Sequence, residues 1–128
     1  MSDLVKENSK FIEGFRKTAE RFKDKPAVVF NGESVSYKNL DLRSQELANY
    51  LTSLFPFKQK IIGVCTSRNK YFVEAVLAVL KSGNAFLPID YDQPNERLDY
   101  IIRDSGLVCL IIEEKYRKQI LKYIKNKK

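Results

Sequence analysis

Apolar residues recur along this chain with a helical period, then with runs suited to strands, in alternation. Near the N-terminus Phe11, Phe15, Ala19 and Phe22 stand four, four and three apart. That spacing predicts an amphipathic helix over residues 7–23 with an aromatic stripe, ended by Lys23, Lys25 and Pro26. Two short β-prone runs follow, 27–30 and 34–37, on either side of Asn31-Gly32. Both of those residues tolerate positive φ, so the pair predicts a tight hairpin. Ser36 then opens a helix whose apolar face is Leu40, Leu47, Ala48, Leu51 and Leu54.

The second half alternates more regularly. Residues 61–65 are continuously apolar, as in a buried parallel strand. Ser67 or Asn69 is placed to cap a helix over 69–82. Its main face is Phe72, Ala75, Val76, Val79 and Leu80, and Tyr71, Val73 and Leu77 widen it. Gly83 stands where a helix stop wants positive φ. Residues 85–89 form the next buried strand. Pro94 suits the first turn of a helix that buries Leu98, Ile101 and Ile102 and stops at Gly106. Residues 107–112 form a third strand, and 114–125 a last helix with Tyr116, Ile120, Tyr123 and Ile124 inward. The order is helix, β-hairpin, helix, then β-α-β-α-β-α. It predicts an α/β class, a parallel sheet flanked by helices, in one domain spanning residues 1–128.

Composition narrows the function classes. With 44% hydrophobic residues in 128, the chain can bury a core. No apolar run approaches the ~20 residues of a membrane span. A polar N-terminus with Asp3, Lys6, Glu7 and Lys10 does not read as a signal peptide. The net charge of +7 sits in a basic C-terminal helix or tail, residues 115–128, which holds seven Lys or Arg and no acid. The rest is balanced, so a nucleic-acid surface spread over the fold is not expected. Cys65 and Cys109 lie in strand-like runs and read as reduced core residues of a cytoplasmic protein, with a disulfide between neighbouring strands as the minor reading.

Candidate chemistry is sparse. There is no histidine, which removes the commonest general base and metal ligand. Two cysteines do not make a zinc site, and Cys65 lacks a base. Asp90 and Asp92 follow a strand end, where α/β ligands often sit; metal or ribose contact competes with capping and turn formation beside Pro94. Arg97 and Arg103 read as partners of Asp99, Glu96 or solvent, and Tyr71 and Phe72 as helix packing. The five glycines are isolated, so no phosphate cradle can be drawn.

Residues 80–90, Leu-Lys-Ser-Gly-Asn-Ala-Phe-Leu-Pro-Ile-Asp, resemble a core motif of the amino-acid adenylation domains of nonribosomal peptide synthetases, in the AMP-forming acyl- and amino-acid-activating superfamily. The family pattern is Leu-Lys-Ala-Gly-x-Ala-Tyr-Leu/Val-Pro-Leu/Ile-Asp, with departures here at Ser82 and Phe86. Val35-Ser36-Tyr37-Lys38-Asn39-Leu40 resembles the family's Leu-Thr/Ser-Tyr-x-Glu-Leu, with Asn39 in place of Glu. Pro94, Glu96, Arg97, Leu98 and Asp104-Ser105-Gly106 match a third segment, where Gln93 replaces Tyr. The resemblance covers about residues 10–114.

The resemblance implies the N-terminal subdomain of an adenylate-forming fold. It implies a parent reaction that joins an amino acid to ATP with Mg²⁺. The family's phosphate loop, ribose-binding Asp and catalytic Lys lie beyond the matched segment. The chain is therefore expected to be a truncated fragment, inactive alone, with no catalytic, cofactor-binding or metal-binding residue of its own. Its expected partners are the remainder of an adenylation domain, or itself by self-association. Two other readings stand beside it: a small α/β interaction module without catalysis, and an α/β fragment that binds nucleotide weakly at its strand ends.

Overall fold

The structure is a computed structural model that describes residues 3–56, 59–67 and 69–125, and side chains between residues 9 and 121. Helix α1 (Asp3–Arg21) leads into a hairpin of β1 (Pro26–Phe30) and β2 (Glu33–Ser36), then α2 (Tyr37–Leu54). A parallel unit follows: β3 (Ile61–Cys65), α3 (Lys70–Lys81), β4 (Ala85–Pro88), α4 (Asn95–Asp104) and β5 (Cys109–Ile112). One 3-10 turn (Glu114–Tyr116) then enters α5 (Arg117–Lys125), where the sequence predicts a single helix over 114–125. Tyr123 and Ile124 lie outside the described side chains, and residues 126–128 of the basic segment lie outside the described residues altogether.

The expected turn chemistry accounts for the element ends. Asn31 and Gly32 take φ of 49° and 79°, which lets Phe30 pair with Glu33 across a two-residue loop. Ser36 caps α2: its Oγ accepts from the Asn39 N–H at 3.2 Å. Of the two candidate caps for α3, Asn69 is the one used, its Oδ1 accepting from the Tyr71 N–H at 3.0 Å. Because Asn39 is too short to complete a capping box, Asn39→Glu is expected to stabilise the chain by roughly 0.5–1 kcal/mol. A urea midpoint at or below that of the parent would show that no return bond to the Ser36 N–H forms.

Helix α3 ends in a Schellman arrangement. Gly83 has φ of 83°, its N–H donates to the Leu80 carbonyl at 3.0 Å, and the Asn84 N–H donates to the Val79 carbonyl at 3.2 Å. Asn84 is fully buried and satisfied: Oδ1 accepts from the Lys60 N–H and Nδ2 donates to Ser82 Oγ, both at 2.9 Å. That lock fixes the start of β4. A β-branched residue resists positive φ, so Gly83→Val is expected to cost more than the ~1 kcal/mol of an ordinary helix-end change. Coincident thermal melts of variant and parent would contradict it.

The three parallel strands run in the order β4-β3-β5. Helices cover both faces. On one face Ala48 and Leu51 of α2 and Ala75, Ala78 and Val79 of α3 meet Ile62 and Val64. On the other, Leu98 and Ile102 of α4 and Ile120 of α5 meet Cys65 and Ile89. A third cluster joins Ile12 and Phe15 of α1 to Val35, Leu40, Val73 and Leu77. That contact covers the second apolar side of α3.

Several expectations are corrected. In α1 the buried stripe is Ile12, Phe15 and Ala19, while Phe11 is 56% exposed and Phe22 is exposed as well. The helix turns Ile12 rather than Phe11 to its neighbours. Leu54, at the open end of α2, and Tyr71, at the start of α3, are also exposed. Pro94 is the cap residue before α4 rather than part of its first turn. Cys65 and Cys109 are both free. The register pairs Cys109 with Ile62, and the two thiols face opposite sides of the sheet, which excludes the disulfide.

Candidate functional site

Open α/β sheets take ligands at the carboxyl ends of their strands, where successive connections diverge. Here the chain leaves β3 for β4 on one side and later places β5 on the other, so the divergence lies between β3 and β5. Polar residues follow each strand there: Thr66 and Ser67 after β3, Asp90 after β4, Glu113 after β5.

That crevice is filled by the chain's own side chains. Ser67 Oγ donates to Glu113 Oε2 at 3.1 Å and lies 3.0 Å from Tyr116 Oη. A hydroxyl has one proton, so Tyr116 is the donor in the second bond. Lys115 Nζ sits 3.3 Å from the same Glu113 oxygen. The Tyr91 ring stacks on Tyr116 with centroids 3.8 Å apart, and Gln119 Nε2 donates to the Tyr91 carbonyl at 3.1 Å. Desolvation pushes the Glu113 carboxyl up, but hydrogen bonds from Lys115 and Ser67 and the Lys115 charge outweigh it and hold it below the usual carboxylate range. The network ties the ends of β3, β5 and α5 together, and the base it sets beside Ser67 is the Glu113 carboxylate, weakened by its lowered pKa.

Cys65 lies just beneath. Burial, and then the charges of Asp90 and Glu113, push its thiol up to about 11. It stays protonated near neutral pH and is a packing residue rather than a nucleophile.

A cleft of about 550 Å³ opens beside the crevice, towards β4, lined among others by Phe30, Thr66, Phe72, Asp90, Tyr91 and Asp92. Asp90 and Asp92 come together there as a turn: Asp90 Oδ1 accepts from the Asp92 N–H at 3.0 Å. Among the described residues no group of three or more His, Cys, Asp or Glu is arranged to hold a metal ion. Arg103 is drawn to Asp99 at 2.9 Å, and Arg97 is exposed. These residues do not fit the phosphates of ATP. Two carboxylates line the cleft, Lys115 is paired with Glu113, and among the described residues no cluster of glycine N–H groups converges there.

Sequence reasoning missed Ser67, Glu113, Tyr116 and Tyr91 as one unit. Their only signal is position, each falling within a few residues of a strand's carboxyl end. Contact between them depends on strand order, which local pattern does not carry. Among the described residues no helix is long and apolar enough to cross a membrane.

Comparison with known proteins identifies the lineage. A family profile described as AMP-binding enzyme matches residues 15–128. Surfactin synthase subunit 1 of Bacillus subtilis (strain 168) is 42% identical over 100 residues, covering 78% of this chain and 3% of that protein. Bacitracin synthase 3 of Bacillus licheniformis is 42% identical over 106 residues, covering 83% of this chain and 2% of that protein. Among solved structures, the nonribosomal peptide synthetase FmoA3 bound to alpha-methyl-L-serine-AMP superposes with a TM-score of 0.80 at 26% identity, over 85% of this chain and 12% of that one. The N-terminal subdomain of Klebsiella oxytoca NpsA shares the fold, with a TM-score of 0.69 at 24% identity, over 79% of this chain and 26% of that one. The chain thus spans a small share of the length of the relatives it matches. It belongs to the AMP-binding enzyme family and corresponds to the N-terminal region of nonribosomal peptide synthetase adenylation domains.

Proposed function

We propose that this chain is the N-terminal structural part of a cytoplasmic adenylation unit that activates an amino acid for nonribosomal peptide synthesis. In the complete unit the amino-acid carboxylate attacks the α-phosphate of ATP, with Mg²⁺, giving aminoacyl-AMP and pyrophosphate. The observation that carries the reading is the pairing of the family match over residues 15–128 with a crevice between β3 and β5 that the Ser67–Glu113–Tyr116 network closes. The fold belongs to the family, whereas the described residues offer ATP no phosphate cradle. The chain's own part is to build the α2/α3–sheet–α4/α5 body against which the rest of the unit is assembled. We assign it no catalytic, cofactor-binding or metal-binding residue.

Its natural partner is the remainder of an adenylation unit. Exposed Phe11, Val29, Phe30 and Tyr71 also favour self-association when that remainder is missing. Amino-acid-dependent pyrophosphate exchange tests the reading. The purified chain alone is expected to give blank values. The whole chain joined to the part of the surfactin synthase subunit 1 adenylation domain that follows the aligned segment is expected to exchange. Exchange by the chain alone would overturn the reading, and an inactive fusion would favour the non-catalytic interaction module.

A further inference from the structure

The tip of the hairpin carries chemistry that neither the strand-end network nor the cleft uses. Asn31 and Gly32 are the two loop residues between Phe30 and Glu33, and both are exposed. A Cβ built on Gly32 would meet nothing within 4 Å, so water reaches its backbone. Among the described residues neither the Asn31 carboxamide nor the Gly32 N–H has a hydrogen-bond partner. Glycine leaves its own amide nitrogen unshielded and its torsions free. The hairpin is a two-stranded sheet apart from the parallel one, and such a ribbon opens locally at low cost. Opening brings the Gly32 nitrogen against the Asn31 carboxamide.

The other asparagines with described side chains lack that combination. Asn39, Asn49 and Asn95 lie within helices, where the torsions are fixed, and precede Leu40, Tyr50 and Glu96. Asn69 caps α3 and precedes Lys70. Asn84 precedes the small Ala85 but is fully buried, with Oδ1 and Nδ2 both bonded.

We propose that Asn31-Gly32 is a site of spontaneous covalent modification, at which Asn31 deamidates to isoaspartate. The Gly32 backbone nitrogen attacks Asn31 Cγ. An N–Cγ bond forms, the Cγ–Nδ2 bond breaks, and Nδ2 leaves as ammonia with the proton of the Gly32 nitrogen. Water then opens the cyclic imide. Addition at the Asn31 main-chain carbonyl gives isoaspartate, and addition at Cγ gives aspartate. No electrons are exchanged, and water is the only reactant. Isoaspartate adds a methylene to the backbone of a loop whose two residues now match the twist of the strands. It also sets a carboxylate near Glu33, which pairs with Lys70 at 3.7 Å. The altered turn then holds Phe30 less firmly against Glu33, and Phe30 lines the cleft with Asp90 and Asp92.

Peptide mapping by mass spectrometry, after the folded chain is kept at mildly alkaline pH, tests the proposal. Asn31 is expected to convert roughly tenfold faster than any other asparagine, because only its successor leaves the amide nitrogen unshielded. Isoaspartate is expected as the main product, detected by enzymatic methylation of its new carboxylate. Asn31→Gly keeps a loop pair that the turn accepts and is expected to abolish the mass gain in that peptide. The isoaspartyl chain is expected to melt below both the parent and Asn31→Asp, which separates the added methylene from the added charge. Mapping of the parent stands even if a variant does not fold. A folded chain that stays intact for the time in which the urea-unfolded chain converts overturns the proposal, since the turn then shields Asn31. Faster conversion at another asparagine overturns it as well. An isoaspartyl chain that melts with Asn31→Asp overturns the loosening of the hairpin.

Discussion

Asp41→Ala is expected to cost about 3 kcal/mol of stability, the low end of the range for breaking a buried ion pair. Lys81 lies in the matched motif, yet its side chain is fully buried between α2 and α3. Its Nζ is 2.5 Å from Asp41 Oδ1, 3.0 Å from the Asp41 carbonyl oxygen and 5.5 Å from the centre of the Phe15 ring. Burial pushes the Lys81 ammonium below its ordinary range, and Asp41 pulls it back up. Removing the carboxylate leaves the cation with one carbonyl and an aromatic face. The low end applies because Asp41 is about one-third exposed and water already screens part of the attraction.

Lys81→Met separates charge from packing. Met keeps most of the stem's volume, and the surviving Asp41 can turn to water, so the loss is expected to stay below about 1.5 kcal/mol. Urea denaturation of both variants decides the matter. Equal losses would mean that the stem's packing, and not the stranded ammonium, sets the cost.

Legibility in the sequence followed the range of the interaction. The hairpin at Asn31-Gly32, the Ser36 cap and the Gly83 stop were readable because each depends on residues within about four positions. The central strand β3 was readable because burial on two faces makes a strand apolar throughout, whereas β4 is apolar throughout although Phe86 and Pro88 are exposed. The α1 stripe was misread by one position, since Phe11 and Ile12 both fit a helical period and only the placement of α3 and the hairpin selects Ile12. The Lys81–Asp41 pair was not readable, as it joins residues 40 apart that meet only once α2 and α3 pack. The same holds for Ser67 and Glu113, brought together by β5 taking the far side of β3. The matched motif marked residues 80–90 as important without saying that Lys81 is an interhelical anchor and Asn84 a buried lock.

Gly63→Val is the second large effect, and its reason is also invisible along the chain. Gly63 is the middle residue of β3 and is buried. Its φ is not positive, so the backbone would accept any residue; the constraint is space. A Cβ added there would lie 2.7 Å from Leu110 Cδ1, 3.0 Å from Ile89 Cδ1 and 3.3 Å from Leu107 Cδ2. All three are terminal methyls, so a single methyl could be accommodated by small shifts. The loss of unfolded-state entropy favours Ala by about 0.4–1 kcal/mol, which leaves Gly63→Ala within about 1 kcal/mol of the parent.

Valine adds two further methyls, and the neighbours have little room to retreat. Leu110 and Ile89 pack in the same cluster as the fully buried Leu98, Ile102 and Ile120. Gly63→Val is therefore expected to lose about 3 kcal/mol, the upper range for overpacking a core. Shortening the opposing side chain tests the cause. In a Leu110→Ala background the same substitution is expected to cost at least 1 kcal/mol less, a coupling of the size seen between residues in contact. Additive losses in that double-mutant cycle would show that Leu110 does not press on Gly63, and that β3 and β5 lie further apart at this point than the 2.7 Å approach requires.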